Sequence, residues 1–341
     1  MDVERIVMAG PRAVRLERDW IADDPPSPHE VVLRTYYSLI SPGTELAHYT
    51  GTADLGHIPA QPYPWYPGYA AVGAVVAAGE EAGVRPGDLV LAHTPHQSAV
   101  RFDCRRRICV CIPDGVPPHV ATVARLGQVS AVSLRTSAAR AGDRAAVIGL
   151  GLVGNCAAQL LRIAGMRVLG VEISPQRRAL AERCGVSPIV DPQERGAWDA
   201  AVEWSGGGCR LLLECSGRVK AVESALALAM PHGEVVLVGA AWRRDTEVPA
   251  TDIVRPIFDK YLLLRSGWEW QLPLYGAEPP GSIAGCTEWV LDCIRDGTFR
   301  AADLITDVIA PADAAEAYRQ LLENPAAHLA VVIDWTGRGE A

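Results

Sequence analysis

Residues 149–154 read GLGLVG, a G-x-G-x-x-G spacing whose chemistry is capture of a phosphate by backbone N–H groups. The apolar run RAAVI before it has the length of a strand, and NCAAQLLRIAG after it has helical spacing. In that setting Gly149 permits a tight turn, Gly151 lets backbone approach a pyrophosphate, and Gly154 lets helix and strand pack closely. The anion then rests on the helix N-terminus, with Leu152 and Val153 in its first turn. The next strand, VLGVEI, ends at Glu172, 18 residues beyond Gly154. A carboxylate there accepts hydrogen bonds from the adenosine ribose hydroxyls and repels a 2′-phosphate, so the pattern predicts NAD rather than NADP. Arg177, five residues on, could meet either a ribose edge or a phosphate.

Other residue types able to do chemistry are less ordered. Nine cysteines are present without a CxxC pair. Cys104, Cys109 and Cys111 lie on a strand-like stretch and the rest are scattered, which reads as small buried hydrophobes. His93 and His96 stand three apart on a strand and turn, and read as buried or polar structural residues rather than metal ligands. A net charge of −8 argues against a nucleic-acid-binding face, which needs clustered Lys and Arg. The one basic run, RRR at 105–107, reads as a solvated strand edge or turn. No run of about 18 apolar residues occurs, so no membrane span is expected. The first twenty residues carry spread charges and lack a signal peptide's apolar core, so the expected location is the cytoplasm, with reduced cysteines.

A chain of 341 residues exceeds one ordinary core and predicts two domains. The first 120 residues hold short β-type runs broken by Pro and Gly, among them EVVLRTYYSLI, AAVGAVVAAG, DLVLAH and ICVCIP, which predict an all-β unit. The prolines crowd in IPAQPYPWYPGYA, read as a structured loop. HVATVARLGQVSAVSLRTSAA then reads as one helix, and from RAAVI onward strands and helices alternate, which predicts a doubly wound parallel sheet. After Trp270 the pattern returns to the first domain, so the expected division is 1–122 with 271–341, and 123–270 as the nucleotide-binding domain.

With the glycine run in that context, the chain resembles the medium-chain dehydrogenase/reductase superfamily over essentially its whole length. The resemblance rests on GVRPGDLVLA (83–92), IPDGV (112–116), ARAGDRAAVIGLGLVG (139–154), PHGEVVLVGA (231–240) and the ADAAEAYRQLL tail. It implies a GroES-like catalytic domain around a Rossmann domain, an active site in the cleft between them, and a homodimer formed through Rossmann sheet edges. Zinc members hold the metal with a cysteine in a CGTD-like motif, a histidine in GHE and a third ligand before the Rossmann domain. Here ISPGTE puts Pro42 at the cysteine position, YPGYAAVG puts Tyr69 at the histidine position and Ala70 at the glutamate, and an ungapped count puts Ala124 at the third. The four-cysteine lobe of a structural zinc is also missing, so no metal is expected at either site.

The resemblance places Thr44 where zinc alcohol dehydrogenases keep a proton-relaying Ser or Thr, and His48 one position from the relay histidine. Tyr69 is the third candidate, since a phenol can exchange a proton with a carbonyl oxygen if nearby charge lowers its pKa. Glu45 is expected to be structural, paired with an arginine. The nucleotide set extends to Ile173, Cys215, Ser216, Gln128 beside the nicotinamide, and the backbone of Val238, Gly239 and Ala240. Tyr63, Trp65, Tyr66, Trp242, Trp268 and Trp270 lie in segments that border the family's substrate cleft, or else pack the core. The SPGTE form is similar to the bacteriochlorophyllide dehydrogenase-like, zinc-free members, which suggests a bulky secondary-metabolite alcohol. The resulting expectation is an NAD-dependent, zinc-independent enzyme interconverting a secondary alcohol and a ketone. An enoyl or quinone reductase and an inactive NAD-binding regulator stay open.

Overall fold

The computed structural model describes residues 1–53, 62–242, 248–276 and 281–337. Part of the proline-rich loop therefore lies outside the described residues. The chain opens with β1 (Asp2–Gly10), β2 (Ala13–Trp20) and β3 (Glu30–Leu39), followed by α1 (Pro42–Thr50). Next come β4 (Ala71–Ala78), β5 (Leu89–Ala92), β6 (Ala99–Asp103), β7 (Cys109–Cys111), α2 (Pro118–Ala121) and α3 (Ala124–Arg135). The alternating stretch is β8 (Arg144–Ile148), α4 (Leu152–Ile163), β9 (Arg167–Val171), α5 (Pro175–Arg183), β10 (Ile189–Val190), α6 (Ala197–Ser205) and β11 (Cys209–Glu214). It continues through α7 (Val219–Leu228), β12 (Ala229–Leu237), α8 (Ala250–Lys260) and β13 (Leu263–Ser266). The tail adds α9 (Ile283–Arg295), β14 (Ile305–Ile309), α10 (Ala314–Glu323) and β15 (Ala330–Asp334).

Contacts divide the chain into one unit of residues 1–126, 272–297 and 304–341, and a second of 127–271 and 298–303. This division falls inside α3, a few residues beyond the expected 122/123 boundary, and moves 298–303 to the second unit. In the first unit β3 is the hub of a seven-stranded sheet ordered β14-β15-β3-β4-β5-β7, with β6 also paired to β3. The unit is mixed rather than all-β. Pro42 at the first helical position starts α1, and Gly51, with φ +75°, ends it. One core cluster joins Ile6, Met8, Ile40, Tyr49, Tyr318 and Trp335.

The second unit is a six-stranded sheet ordered β10-β9-β8-β11-β12-β13, all parallel. Its strands are buried on both faces: Ala145 and Val147 pack into one cluster, Ala146 and Ile148 into the other. The expected single helix over 119–139 is two helices, α2 and α3, broken at Thr122 and Val123. The RRR run is an exposed turn, as the sequence suggested. Among the described residues no helix is long and apolar enough to cross a membrane.

Gly73 on β4 lies where β3 shifts register, and a Cβ there would sit 2.0 Å from the Arg34 carbonyl oxygen. Backbone cannot yield as a side-chain tip does. Gly73→Ala is expected to cost about 1–3 kcal/mol, read as a lowered thermal or urea midpoint.

Candidate active site

In the second unit the strand order reverses between β8 and β11, the place where open α/β sheets bind ligands beyond the strand C-termini. The glycine turn leaves β8 there. Gly149 has φ +86°, and its N–H donates to the Val171 carbonyl at 2.8 Å. A Cβ on Gly154 would lie 1.8 Å from the Gly149 carbonyl oxygen, so only glycine allows this contact. At Gly151, the N-cap of α4, the nearest atom to such a Cβ is Arg177 Nη1 at 3.8 Å, and no side chain caps the helix. Leu152 and Val153 thus begin a helix whose N-terminus is open to an anion.

Glu172, just past β9, accepts from the Leu150 N–H at 2.7 Å and the Ser174 N–H at 2.8 Å. It ties the glycine turn to the Ser174 cap of α5, and each carboxylate oxygen keeps a lone pair for a ribose hydroxyl. Ile173 beside it is exposed. Beyond β11, the buried Glu214 carboxylate accepts from the Ser216 hydroxyl, the Ser216 N–H at 2.7 Å and the Gly217 N–H at 3.1 Å. The Glu214 carbonyl takes the Val238 and Gly239 N–H groups at 2.9 and 2.8 Å. Cys215, Ser216, Val238, Gly239 and the adjoining Ala240 are thereby gathered at the sheet's C-terminal edge. Burial pushes the Cys215 thiol far up, which removes it as a nucleophile. Gln128 is buried on α3. The open helix N-terminus and the anchored Glu172 fit a dinucleotide.

The first unit holds the other candidates. Glu45 is fully buried on α1, and one oxygen accepts the Ser41 N–H at 2.9 Å. The other faces His96 Nε2 at 3.1 Å and accepts the Tyr318 hydroxyl. His96 Nδ1 lies 2.9 Å from Ser38 Oγ, which accepts from Trp335 Nε1 at 2.9 Å. An indole N–H only donates and a carboxylate only accepts, so Ser38 Oγ accepts from Trp335 and a His96 proton is assigned to Nε2, facing Glu45. The expected arginine partner of Glu45 is thus replaced by a histidine and a tyrosine. Each directs a donor at the carboxylate.

Ser41, the N-cap of α1, also accepts the Tyr69 hydroxyl, and the Tyr69 side chain is half-buried. The Arg125 guanidinium lies over the Tyr69 ring, 4.8 Å from its centroid, and Arg125 Nη2 stands 3.2 Å from His93 Nδ1. Burial, helped by Arg125 and Arg107, pushes His93 down to about 3, so its imidazole is neutral and accepts from the guanidinium. Thr44 and His48, four apart on α1, share a helix face. The His48 ring stacks on Trp65 at 3.9 Å, and burial lowers its pKa against the raising effect of Glu45. Tyr63 donates to the His48 carbonyl, Tyr66 is exposed beneath Arg5, and Trp268 and Trp270 are exposed. The sequence reading missed Ser41 and Arg125. An arginine as the one Lys or Arg in the run HVATVARLGQV was the available signal.

Residues 153–262 match the zinc-binding dehydrogenase family. The 2-desacetyl-2-hydroxyethyl bacteriochlorophyllide A dehydrogenase of Cereibacter sphaeroides is 30% identical, covering 98% of this chain and 99% of the relative. The chain belongs to the medium-chain dehydrogenase/reductase superfamily. The (R,R)-butanediol dehydrogenase of Bacillus subtilis is 32% identical over 42% of this chain and 41% of its own. The crystal structure of the 2R,3R-butanediol dehydrogenase of Bacillus subtilis shares the fold with a TM-score of 0.77 at 22% identity, covering 97% of this chain and 99% of that one.

The family match lies within the second unit, includes Gly154, Glu172 and Arg177, and does not reach Pro42, Tyr69 or Ala124. At those positions Pro42 and Ala124 have no donor atom, and the Tyr69 phenol donates to Ser41 beneath a guanidinium. Among the described residues no three or more His, Cys, Asp or Glu side chains group so as to hold a metal ion. This donor set does not fit the tetrahedral zinc of the superfamily's metal members.

His93, whose folded pKa of about 3 lies below the unfolded 6.5, binds its proton more weakly in the native state. Its contribution is present above pH 6.5 and is lost as pH falls from there toward about 3. Urea midpoints across that range are expected to give a shallower acid slope for His93→Asn, by about 1.4 kcal/mol per pH unit.

Proposed function

We propose that this superfamily member is an NAD-dependent, zinc-independent oxidoreductase that interconverts a secondary alcohol and a ketone on a bulky or cyclic substrate. The observation that carries this reading is Tyr69. It is a half-exposed phenol tied to Ser41, standing where zinc members place a histidine ligand. Gly149, Gly151, Gly154 and the first turn of α4 would hold the pyrophosphate, and Glu172 the adenosine ribose. Bound nicotinamide supplies the hydride in ketone reduction and takes it in alcohol oxidation.

The protein's part is the proton. In ketone reduction the Tyr69 O–H gives its proton to the carbonyl oxygen. Ser41, relieved of that hydrogen bond, turns its own O–H toward the phenolate. Thr44 and the neutral His48 offer a second relay along α1 toward solvent. A hydroxyethyl-bearing bacteriochlorophyllide as substrate of the Cereibacter relative supports a secondary carbinol on a large ring system. The exposed face of Tyr66 suits a flat substrate. A cytoplasmic homodimer fits the same reading. β13 is an edge strand, and Leu263 on it and Phe258 and Tyr261 before it are exposed apolar side chains.

Calorimetry is expected to show NADH bound more tightly than NADPH, and no NADH binding by Gly151→Asp, whose carboxylate would meet the pyrophosphate. Undiminished affinity in that variant would sink the cofactor assignment. In a panel of secondary alcohols, ketones and enones, turnover of a carbinol–ketone pair that survives a metal chelator is the expected result. Turnover of enones alone would make the protein an enoyl reductase instead. Size exclusion with light scattering is expected to give a dimer, and Leu263→Arg a monomer.

A further inference from the structure

We propose that the N-terminal rim of the parallel sheet is a binding site for a small molecule carrying a diphosphate, built by Arg144, Arg162, Arg167 and Arg210. Arg144 opens β8 and Arg167 opens β9, and the two are direct partners in the ladder. On the other side of β8, Leu211 pairs with Ala145, so Arg210 stands one step back, beside Arg144. Successive strand residues alternate faces, and Ala145, Val168 and Leu211 pack together in one core cluster. The three arginines that precede them therefore share the other face. They form a row across neighbouring strands about 4.8 Å apart.

Like charges directly opposite one another in a sheet repel. Elsewhere in this acidic chain Arg5 is answered by Asp19, Arg101 by Glu30, Arg178 by Asp191 and Arg265 by Glu234. At the rim, main-chain carbonyls take that place. Arg144 Nη1 donates to the Ser205 carbonyl at 2.8 Å, Arg162 Nη1 to that of Ser187 at 3.2 Å, and Arg210 to that of His232. A carbonyl fixes the direction of a guanidinium without cancelling its charge, and each of the three keeps further N–H groups to donate. Arg167 is exposed, and among the described residues its side chain has no hydrogen bond or ion pair.

The row borders two cavities. Arg144, Arg167 and Arg210 line one of about 540 Å³, together with Gly206, Gly207 and Gly208. Arg162 and Arg167 line another of about 440 Å³, together with Trp204. The three glycines have φ of +60°, +103° and +137°, and a Cβ on Gly206 would collide with the Arg144 guanidinium. A loop without side chains leaves that cavity open. Asp143 is the one carboxylate among the lining residues, and its Oδ2 accepts the Arg140 N–H at 2.7 Å. Guanidinium forks match phosphate oxygens two at a time, and two cavities that meet at Arg167 suit two linked phosphoryl groups. Trp204 gives the smaller cavity a flat wall for whatever the diphosphate carries. The glycine turn of the nucleotide site lies at the far end of β8, about 17 Å away, so the two sites are separate.

The test is calorimetry with inorganic pyrophosphate at low ionic strength, with NADH at saturation. Pyrophosphate is expected to bind, and Arg167→Glu to weaken it about ten- to a hundredfold while NADH affinity stays unchanged. Because the Arg167 side chain holds no contact of the fold, that variant should melt as a folded protein. Pyrophosphate should raise the melting temperature of the unaltered protein and not that of Arg167→Glu. Inorganic phosphate should bind more weakly, and equal affinity would overturn the two-phosphate reading. Uridine diphosphate bound more tightly than pyrophosphate, with the gain lost in Trp204→Ala, would make a nucleotide the source. Equal affinity would leave the diphosphate itself as the recognised group. No pyrophosphate binding, or binding that Arg167→Glu leaves unchanged, overturns the proposal. So does binding that NADH displaces, which would put the pyrophosphate on the α4 N-terminus. If NADH itself does not bind, the cofactor reading fails, and the Arg167→Glu comparison still decides this proposal.

Discussion

The first unit is organised around a single buried carboxylate. Glu45 takes hydrogen bonds from the start of α1, from His96 on the loop after β5 and from Tyr318 on α10, and Ser38 extends the network to Trp335 beyond the last strand. A lone carboxylate in an apolar core is very costly, and this one is stable because every contact is a donor with a fixed direction. The consequence is geometric. Ser41 cannot shift without breaking the bond to Glu45, and Tyr69 is tied to Ser41. The position of the candidate proton donor is therefore set by residues from across the unit, including some about 270 positions along the chain.

The nucleotide half applies the same device twice. Glu172, just past β9, accepts N–H groups from the glycine turn and from Ser174, and Glu214, at the end of β11, accepts N–H groups from the turn that follows it. The turns after β8 and β11 are where the strand order reverses, so the two carboxylates brace the place where a ligand would sit. Glu172 is held by two backbone N–H groups, so a ribose hydroxyl bound there would cost little further side-chain freedom.

The nucleotide half was legible in the sequence because its signals are local. A strand, three glycines, a helix and an acidic residue at a fixed distance are read within thirty residues, and the structure places each as the spacing requires. The doubly wound sheet was legible for the same reason. The first unit was harder to read. ISPGTE was read for the ligands its positions could carry, and Pro42 and the back-bonding Glu45 make it a helix start. The partners of Glu45 are His96 and Tyr318, far away in sequence, so no local pattern could replace the expected arginine with them. The hairpin of β1 and β2 was overlooked because its alternation is mostly of charged residues with half-buried ones. Arg125 escaped notice because one cation in a helix is ordinarily solvated, and only the three-dimensional packing shows it to be enclosed.

A metal ion and a phenol ask different things of a substrate. Zinc binds the carbonyl oxygen directly and draws it into place, so a small alcohol with few other contacts can still be held. A phenol gives only one directional hydrogen bond, and its proton is useful only when the oxygen already lies in line. The remaining alignment must come from contacts elsewhere on the substrate, whose binding energy is used to orient the reacting atoms. A site that relied on a phenol in place of a metal would therefore favour substrates large enough to be oriented by their own surface. On that argument the replaced ligand positions and the bulky carbinol proposed as substrate belong together.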